Sequence, residues 1–350
     1  MSSFANNYLA QHSSHIASME VLQLIADISE RKGKQAYYED RAPELLKQLQ
    51  HIATIQSTES SNRLEGIVVG NQRLKELVEE RTTPQSRSEN EVAGYRAVLN
   101  QIHASGADIP IRPGVILQLH RLLYSFSPGE GGKWKPKDNQ ITEKYPDGTE
   151  RIRFTPTPAI LTPEAMEMLC NEYANAIQDQ SPHPLIVMAA FILDFLCIHP
   201  FWDGNGRMSR LLTLLCLYHG GYNVGRYISL EKIVEDTKEQ YYQALYDSSQ
   251  GWHEGQHDLL PWLRYFLGVI LRAYRDLEDR AAVVRRTRGE KSARIREIVS
   301  GFVGPFSVRD LEERCPDIAR PTINAVLKQL HEEGIIERKG SGRSTKWKNR

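Results

Sequence analysis

Cysteine is scarce in this sequence: four in 350 residues, Cys170, Cys197, Cys216 and Cys315, far apart and with no CxxC pair. That spacing argues against a disulfide framework or a zinc knuckle and fits reduced thiols in a cytoplasm. No apolar run approaches the roughly 20 residues needed to cross a bilayer, and the longest, residues 185–198, carries Asp194. The opening MSSFANNYLAQHSSH has neither a basic n-region nor an apolar core, so the expectation is a cytoplasmic protein with no membrane partner. An excess of charge is also missing, with Lys+Arg 44 against Asp+Glu 44. A neutral total excludes a chain that is basic throughout, yet a small basic module fits inside it. His120, His199 and His219 lack any HxxxH-type spacing, which disfavours a metal hydrolase. No internal repeat or low-complexity tract stands out.

What is present is mostly helical pattern. Apolar residues recur at three- and four-residue spacing near 17–30, 42–57, 89–103 and 113–124. The first long interruption, residues 125–158, is rich in Gly, Pro and Lys. Two short alternating runs, Gln140 to Tyr145 and Thr149 to Phe154, flank Pro146-Asp147-Gly148 there and predict a β-hairpin. A helix after Pro184 is apolar on most faces and therefore central. It runs straight into a polar segment at His199. Another helix is expected from Asn205 to His219, closed by Gly220-Gly221, and more near 236–248 and 258–283. The basic stretch Arg285-Arg286-Thr287-Arg288-Gly289 predicts a linker.

The segment His199-Pro200-Phe201-Trp202-Asp203-Gly204-Asn205-Gly206-Arg207-Met208-Ser209-Arg210 concentrates chemistry. Glycines at 204 and 206 let backbone approach a ligand, and the first free amides of the following helix point outward at its positive end. Together they make a phosphate cradle. Arg207 and Arg210 lie three apart, on one helix face beside that cradle, each with a fork suited to phosphate oxygens. Asp203 offers a hard oxygen for Mg²⁺ on a polyphosphate. His199 is the one group here with an ordinary pKa near neutrality, as a base for a hydroxyl proton requires. Phe201 and Pro200 read as structural anchors. The combination points to nucleotidyl or phosphoryl transfer.

These residues resemble the Fic motif, HPFx(D/E)GNGRxxR, at every defined position. The resemblance extends over roughly residues 50–270 by the order of other features. It implies a mainly α fold, a helical bundle with a short β-hairpin flap, and transfer of AMP from ATP to Ser, Thr or Tyr hydroxyls of a protein. On that likeness His199 would activate the target hydroxyl and Asp203 would hold Mg²⁺ on the α- and β-phosphates. Asn205 and the amides around Gly204 and Gly206 would bind phosphate, Arg207 would neutralise the leaving pyrophosphate, and Arg210 would hold the γ-phosphate. The hairpin near 140–154 stands where the family's flap pairs with a target segment. Tyr241, Tyr242 and Leu245 resemble the residues that close over adenine; simple core packing is the other reading of Tyr241 and Leu245.

Upstream, Ser61-Asn62-Arg63-Leu64-Glu65-Gly66 reads alone as a helix C-terminus, with Ser61 and Glu65 on one face. Beside a Fic motif it resembles the family's inhibitory (S/T)xxxE(G/N) segment. The likeness implies that Glu65 pairs with Arg210 and denies it to the γ-phosphate. In some relatives this glutamate also serves AMP removal, and relatives often dimerise; both stay open here.

From about residue 290 the sequence reads as a small separate domain. Helices are expected over 291–300, 307–313 and 321–333, then a hairpin flanking Lys339-Gly340-Ser341-Gly342-Arg343. The order resembles a winged helix-turn-helix. Its wing is locally basic, with Arg338, Lys339, Arg343, Lys346, Lys348 and Arg350, and Arg320, Thr322, Asn324 and Lys328 could face a major groove. Glu312, Glu313, Glu332 and Glu333 dilute that charge, and such domains also bind proteins, so DNA and protein both stand as partners. The expected organisation is therefore an N-terminal helical region to 110, a catalytic domain over 111–283, a linker over 284–290 and the small domain over 291–350. Two other functions compete with AMP transfer: a DNA-binding transcription regulator with a self-modifying nucleotide site, and a transferase with a different nucleotide donor. The target protein, other than the chain itself, is not readable.

Overall fold

In a computed structural model, residues 3–4, 8–127, 131–144, 150–180, 182–302, 304–340 and 345–350 are described. Helices dominate, several of them starting or ending where the sequence supplies a cap, a proline or a glycine. Two single turns, α1 (Tyr8–Gln11) and α2 (Ser13–Ile16), precede α3 (Met19–Arg41), whose N-cap Ser18 accepts from the Val21 amide. Helix α4 (Pro43–Leu64) starts on a proline and ends in a Schellman motif. There the Ile67 amide donates to Asn62 O at 3.0 Å and the Gly66 amide to Arg63 O at 2.9 Å, with Gly66 at φ +77°. Then come α5 (Asn71–Val78), α6 (Arg87–Ser105) and α7 (Pro113–Leu123). The hairpin β1 (Ile141–Lys144) and β2 (Glu150–Phe154) is antiparallel, with Glu143 opposite Arg151. Its expected Pro-Asp-Gly turn lies outside the described residues.

After the hairpin come α8 (Thr162–Asp179), α9 (Pro184–Ile198), α10 (Asn205–His219), α11 (Leu230–Asp236) and α12 (Lys238–Ser249). Fourteen of the fifteen positions of α9 are apolar, so no face of it can meet water; it lies in the centre with α8, α10 and α12 against it. Its only charged residue, Asp194, is fully buried and accepts from Ser3 N, Ser3 Oγ and Trp252 Nε1, each at 2.7 Å. Burial raises the Asp194 carboxyl to about 7 against those three donors.

The expected linker at 284–290 is helical backbone. Helix α13 runs unbroken over Leu260–Ser300. Arg, Lys and Glu are good helix formers, the stretch has no proline, and its lone Gly289 costs only about 1 kcal/mol. Polarity without apolar periodicity is therefore compatible with helix as well as with a linker. The chain divides into two compact units at 277/278. Residues 1–110 do not form a body of their own: α4 and α6 pack on α10, and one core runs from Tyr8 to Leu277.

The second unit, residues 278–350, contains the end of α13, then α14 (Val308–Arg314), α15 (Arg320–Glu332) and an antiparallel hairpin of β3 (Ile336–Lys339) and β4 (Lys346–Asn349). Ser307 and Asp310 form a capping box at the start of α14. Ile295, Val299, Phe306, Leu311, Ile323 and Leu327 are among its core residues.

Truncating Phe191, fully buried in α9 and packed on Tyr173, is expected to destabilise the protein by about 3–5 kcal/mol. Chemical denaturation of Phe191→Ala measures this, and a loss below about 1 kcal/mol would contradict a central, close-packed α9.

Candidate active site

The motif begins at the last turn of α9. His199 is the C-cap of that helix and takes the left-handed conformation at φ +51°, which turns the chain sharply and is uncommon for a residue with a Cβ. Its Nδ1 lies 3.3 Å from Leu196 O. With Nδ1–H donating there, Nε2 keeps its lone pair as a proton acceptor. Burial pushes the imidazole down to about 4; the Lys135 ammonium pushes the same way, while Leu196 O, Glu65 and Asp203 pull back. The group is therefore neutral at pH 7, the state a base needs.

Lys135 holds this turn. Its Nζ donates to Ile198 O at 3.1 Å and to Asn139 Oδ1 at 3.0 Å, and its amide donates to Pro200 O at 2.8 Å. Burial lowers the Lys135 ammonium to about 8. Phe201 is fully buried and stacks on His120 at 3.6 Å between centroids. The Gly132 amide donates to His120 Nδ1 at 2.8 Å, so His120 Nε2–H faces Asp203 O at 3.1 Å.

Helix α10 starts at Asn205, with Gly204 at φ +84° as its N-cap. A Cβ on Gly204 would stand 3.0 Å from Tyr124 Oη. The amides of Asn205, Gly206 and Arg207 have no acceptor within the helix and point from its positive end. The Asn205 side chain is not among the available donors. Its Oδ1 accepts from Phe201 N at 2.9 Å and its Nδ2 donates to Phe201 O at 2.8 Å, so it clamps the loop. The expected phosphate contact at Asn205 is thereby limited to its backbone.

The two arginines part company. Arg207 is 1% exposed and donates to Glu91 Oε2 at 2.8 Å and Tyr124 Oη at 3.0 Å, while its Nε has no partner. Arg210 turns to the other side and meets the end of α4. Its Nη2 donates to Glu65 Oε1 at 2.6 Å and to Ser61 O at 2.8 Å, and its Nε to Ser61 Oγ at 2.8 Å. The ion pair lies over the start of α10: a Cβ on Gly206 would fall 2.2 Å from Glu65 Oε1. Gly206 is thus required by an anion in this place.

A cavity of about 230 Å³ opens beside the pair, lined by Glu65, His199, Gly206, Arg210, Tyr241, Tyr242 and Leu245, with Arg153 and Phe154 of β2 among the remaining walls. Tyr241 is buried against Trp262 and Tyr265, as core packing predicts, and also lines this cavity; Tyr242 and Leu245 are only partly covered. Arg153 donates to Tyr242 O and spans the Tyr242 and Tyr246 rings. Asp203 stands outside this wall. Its side chain is 57% exposed, its Oδ1 accepts from Gly204 N at 2.7 Å, and its Oδ2 is 3.8 Å from Arg207 Nη2. Among the described residues no three His, Cys, Asp or Glu side chains cluster as a metal cage. One open carboxylate suits an ion such as Mg²⁺ that takes its other ligands from water and a polyphosphate.

Glu91, Tyr124, His120 and Lys135 escaped sequence reading. Each supports the motif from a distant stretch, and none carries a local pattern that marks it. In the second unit, Arg320, Asn324 and Lys328 share the exposed face of α15, Thr322 lies at its flank, and Ile323, Val326, Leu327 and Leu330 face inward. Arg320 approaches Glu312 at 3.5 Å and Lys328 approaches Glu332 at 3.8 Å. Arg343 lies outside the described residues.

Residues 110–217 match the profile of the Fic/DOC family. The chain is 26% identical over 306 residues to the protein adenylyltransferase Fic of Drosophila melanogaster, covering 83% of this chain and 57% of that protein. The relative from Drosophila willistoni is 27% identical over 222 residues, 60% of this chain and 40% of its own length. The chain thus spans about half the length of the curated relatives it matches. Among solved structures, a Fic family protein from Desulfovibrio desulfuricans G20 superposes with a TM-score of 0.61 at 23% identity, covering 95% of this chain and 96% of that one. Fic-1 from C. elegans (residues 134–508) gives 0.60 at 18%, covering 81% and 79%. At these identities the likeness to the solved structures is one of fold.

In nucleotide-free protein the His199 imidazole is expected to titrate well below its ordinary 6.5. The proton on Cε1, followed by NMR, reports it. Lys135→Met removes one positive charge and should move the midpoint upward; a wild-type midpoint at or above 6.5 contradicts the burial that keeps the His199 imidazole neutral.

Proposed function

From the Fic/DOC domain that this chain carries, we propose that the protein moves the AMP part of ATP onto Ser, Thr or Tyr hydroxyls of a protein, itself included, and that Glu65 restrains it. One observation carries the reading: His199, the open start of α10 and Arg210 face a single cavity, and Glu65 already lies on Arg210 there.

In this reading the target hydroxyl gives its proton to His199 Nε2 as its oxygen attacks the α-phosphorus. The new P–O bond forms as the bond from the α-phosphorus to the bridging oxygen breaks, and pyrophosphate leaves with that electron pair. The amides at the start of α10 take phosphate oxygens. Arg210 takes the γ-phosphate, and Arg207, held by Glu91 and Tyr124, supplies positive potential from behind the loop. Asp203 would hold Mg²⁺, which neutralises polyphosphate charge. Tyr242 and Leu245 with Phe154 enclose the base in an apolar slot, a feature that favours a nucleotide donor over a smaller phosphate ester. The exposed edge of the β1–β2 hairpin is where an extended target segment would add.

Glu65 places a carboxylate where a terminal phosphate would seek the Arg210 fork and the helix amides. A charge-assisted pair in this buried place competes with phosphate for the same donors. The resting enzyme is therefore complete but restrained.

A second reading concerns residues 278–350 alone. The exposed α15 face of Arg320, Asn324 and Lys328, with a following hairpin that carries Arg338, Lys339, Lys346 and Lys348, supports reading this unit as a winged helix that binds duplex DNA. Ion pairs to Glu312 and Glu332 temper its charge.

With α-labelled ATP and Mg²⁺, the protein is expected to label itself. Glu65→Gly should raise that label at least severalfold and His199→Ala should abolish it; label from γ-labelled ATP alone would mean kinase chemistry instead. For the second unit, retention on duplex DNA should fall steeply with salt, and Lys346→Ala with Lys348→Ala should flatten that dependence. Absence of binding at low salt removes the DNA reading.

A further inference from the structure

Glu65 is not the sole hold on Arg210. Ser61 accepts from Arg210 Nε through its hydroxyl and from Nη2 through its carbonyl, both at 2.8 Å. Turning the Glu65 side chain away would leave those two bonds in place. Ser61 and Glu65 both belong to the end of α4, so how firmly the Glu65 carboxylate is held over Gly206 depends on where that last turn sits. Ser57, Ser60, Ser61 and Glu65 fall at three- and four-residue spacing, so the face that reaches Arg210 continues into the face that α11 touches.

That turn is fastened from α11 by one carboxylate. Ser60 Oγ donates to Glu235 Oε2 at 2.7 Å and Arg63 Nη1 donates to Glu235 Oε1 at 2.9 Å, so both oxygens of Glu235 are engaged by α4. One turn earlier, Ser57 Oγ donates to Glu231 Oε2 at 2.7 Å, and Tyr95 Oη holds the other Glu231 oxygen at 3.0 Å. The two acids differ in access. Glu231 is 1% exposed, whereas the Glu235 side chain is at the rim at 14% and its partner Arg63 at 42%. Lys232 Nζ, 3.4 Å from Glu235, and Glu59, on Arg63, complete the charges there.

We propose that Glu235 is a positioning residue that latches the last turn of α4 onto Arg210, with Glu231 as the fixed end and Glu235 as the end that opens. The proposal rests on the inhibitory reading of Glu65 given above. Helix α11 leads through Thr237 into α12, which carries Tyr241 and Tyr242 of the nucleotide slot. The latch therefore stands between the inhibitor and the wall that a nucleotide would press, and what loosens one is felt by the other.

The test measures self-labelling from α-labelled ATP for wild type, Glu235→Gln, Ser60→Ala, Glu65→Gly and the Glu65→Gly/Glu235→Gln pair. Ser60→Ala removes one bond without a charge, which guards against a misfolded Glu235 variant. The latch predicts a rise of roughly threefold to tenfold for Glu235→Gln, the range that loss of one such hydrogen bond gives. It predicts no further rise in the pair over Glu65→Gly alone, and faster hydrogen exchange in residues 61–65 of Glu235→Gln. A residue of merely structural importance would lower labelling in every background. If Glu65→Gly raises the label while neither Glu235→Gln nor Ser60→Ala does, the latch is overturned and the inhibitory reading stands. Multiplying effects in the pair also overturn it. No rise with Glu65→Gly overturns the inhibitory reading itself.

Discussion

The Arg210 guanidinium is the constraint around which the first unit is arranged. It is 6% exposed, and a cation so placed needs partners for its charge and for its donors. Helix α4 provides three hydrogen bonds to it, through Ser61 and Glu65. The chain from Pro43 to Gly66 thus has a reason to end where it does. The Schellman motif at Gly66 stops α4 with Glu65 at its C-cap, and the absence of a Cβ at Gly206 leaves room for the carboxylate. Two glycines far apart in sequence serve one ion pair.

Arg207 applies the same logic on the opposite side of α10. It is buried more deeply and held by Glu91 of α6 and by Tyr124 at the end of α7. Each arginine ties the motif helix to a helix that precedes it by a long stretch of chain. Breaking either tie would leave an uncompensated buried charge, which costs several kcal/mol. This accounts for residues 1–110 sharing one core with the rest of the first unit. The two guanidinium charges of the motif are insoluble in that core without the carboxylates of α4 and α6.

Much of this was legible in the sequence where one local rule settles the matter. An apolar run without a polar face had to be a central helix, and α9 is one. Gly204 before a periodic run and Gly220 after it bounded α10 to the residue. Alternation around a turn gave the β1–β2 hairpin, and the basic, non-apolar stretch at 285–289 misled because polarity alone does not separate a linker from a helix. Asn205 was legible as a motif residue but not as a clamp on Phe201, since its side chain could equally have faced the ligand. Glu91, His120 and Lys135 were beyond reach for a different reason. Their partners lie across 116, 83 and 63 positions, and pairing over such distances is fixed by tertiary packing, which no local spacing reports.

The start of α10 has room for one anion. With Glu65 Oε1 2.2 Å from where a Gly206 Cβ would stand, a phosphate oxygen and this carboxylate exclude each other there. In the proposed reading inhibition is then a competition between a tethered ligand and a free one. The tether keeps the carboxylate at high effective concentration, so a nucleotide gains access either by displacing it from the Arg210 fork or when α4 yields. On the first route Ser61 keeps Nε and one Nη2 donor, and the donor that Glu65 releases opens to phosphate. In that reading control of the site is shared between the carboxylate itself and whatever fixes the last turn of α4, so helix packing and motif act on the same ion pair.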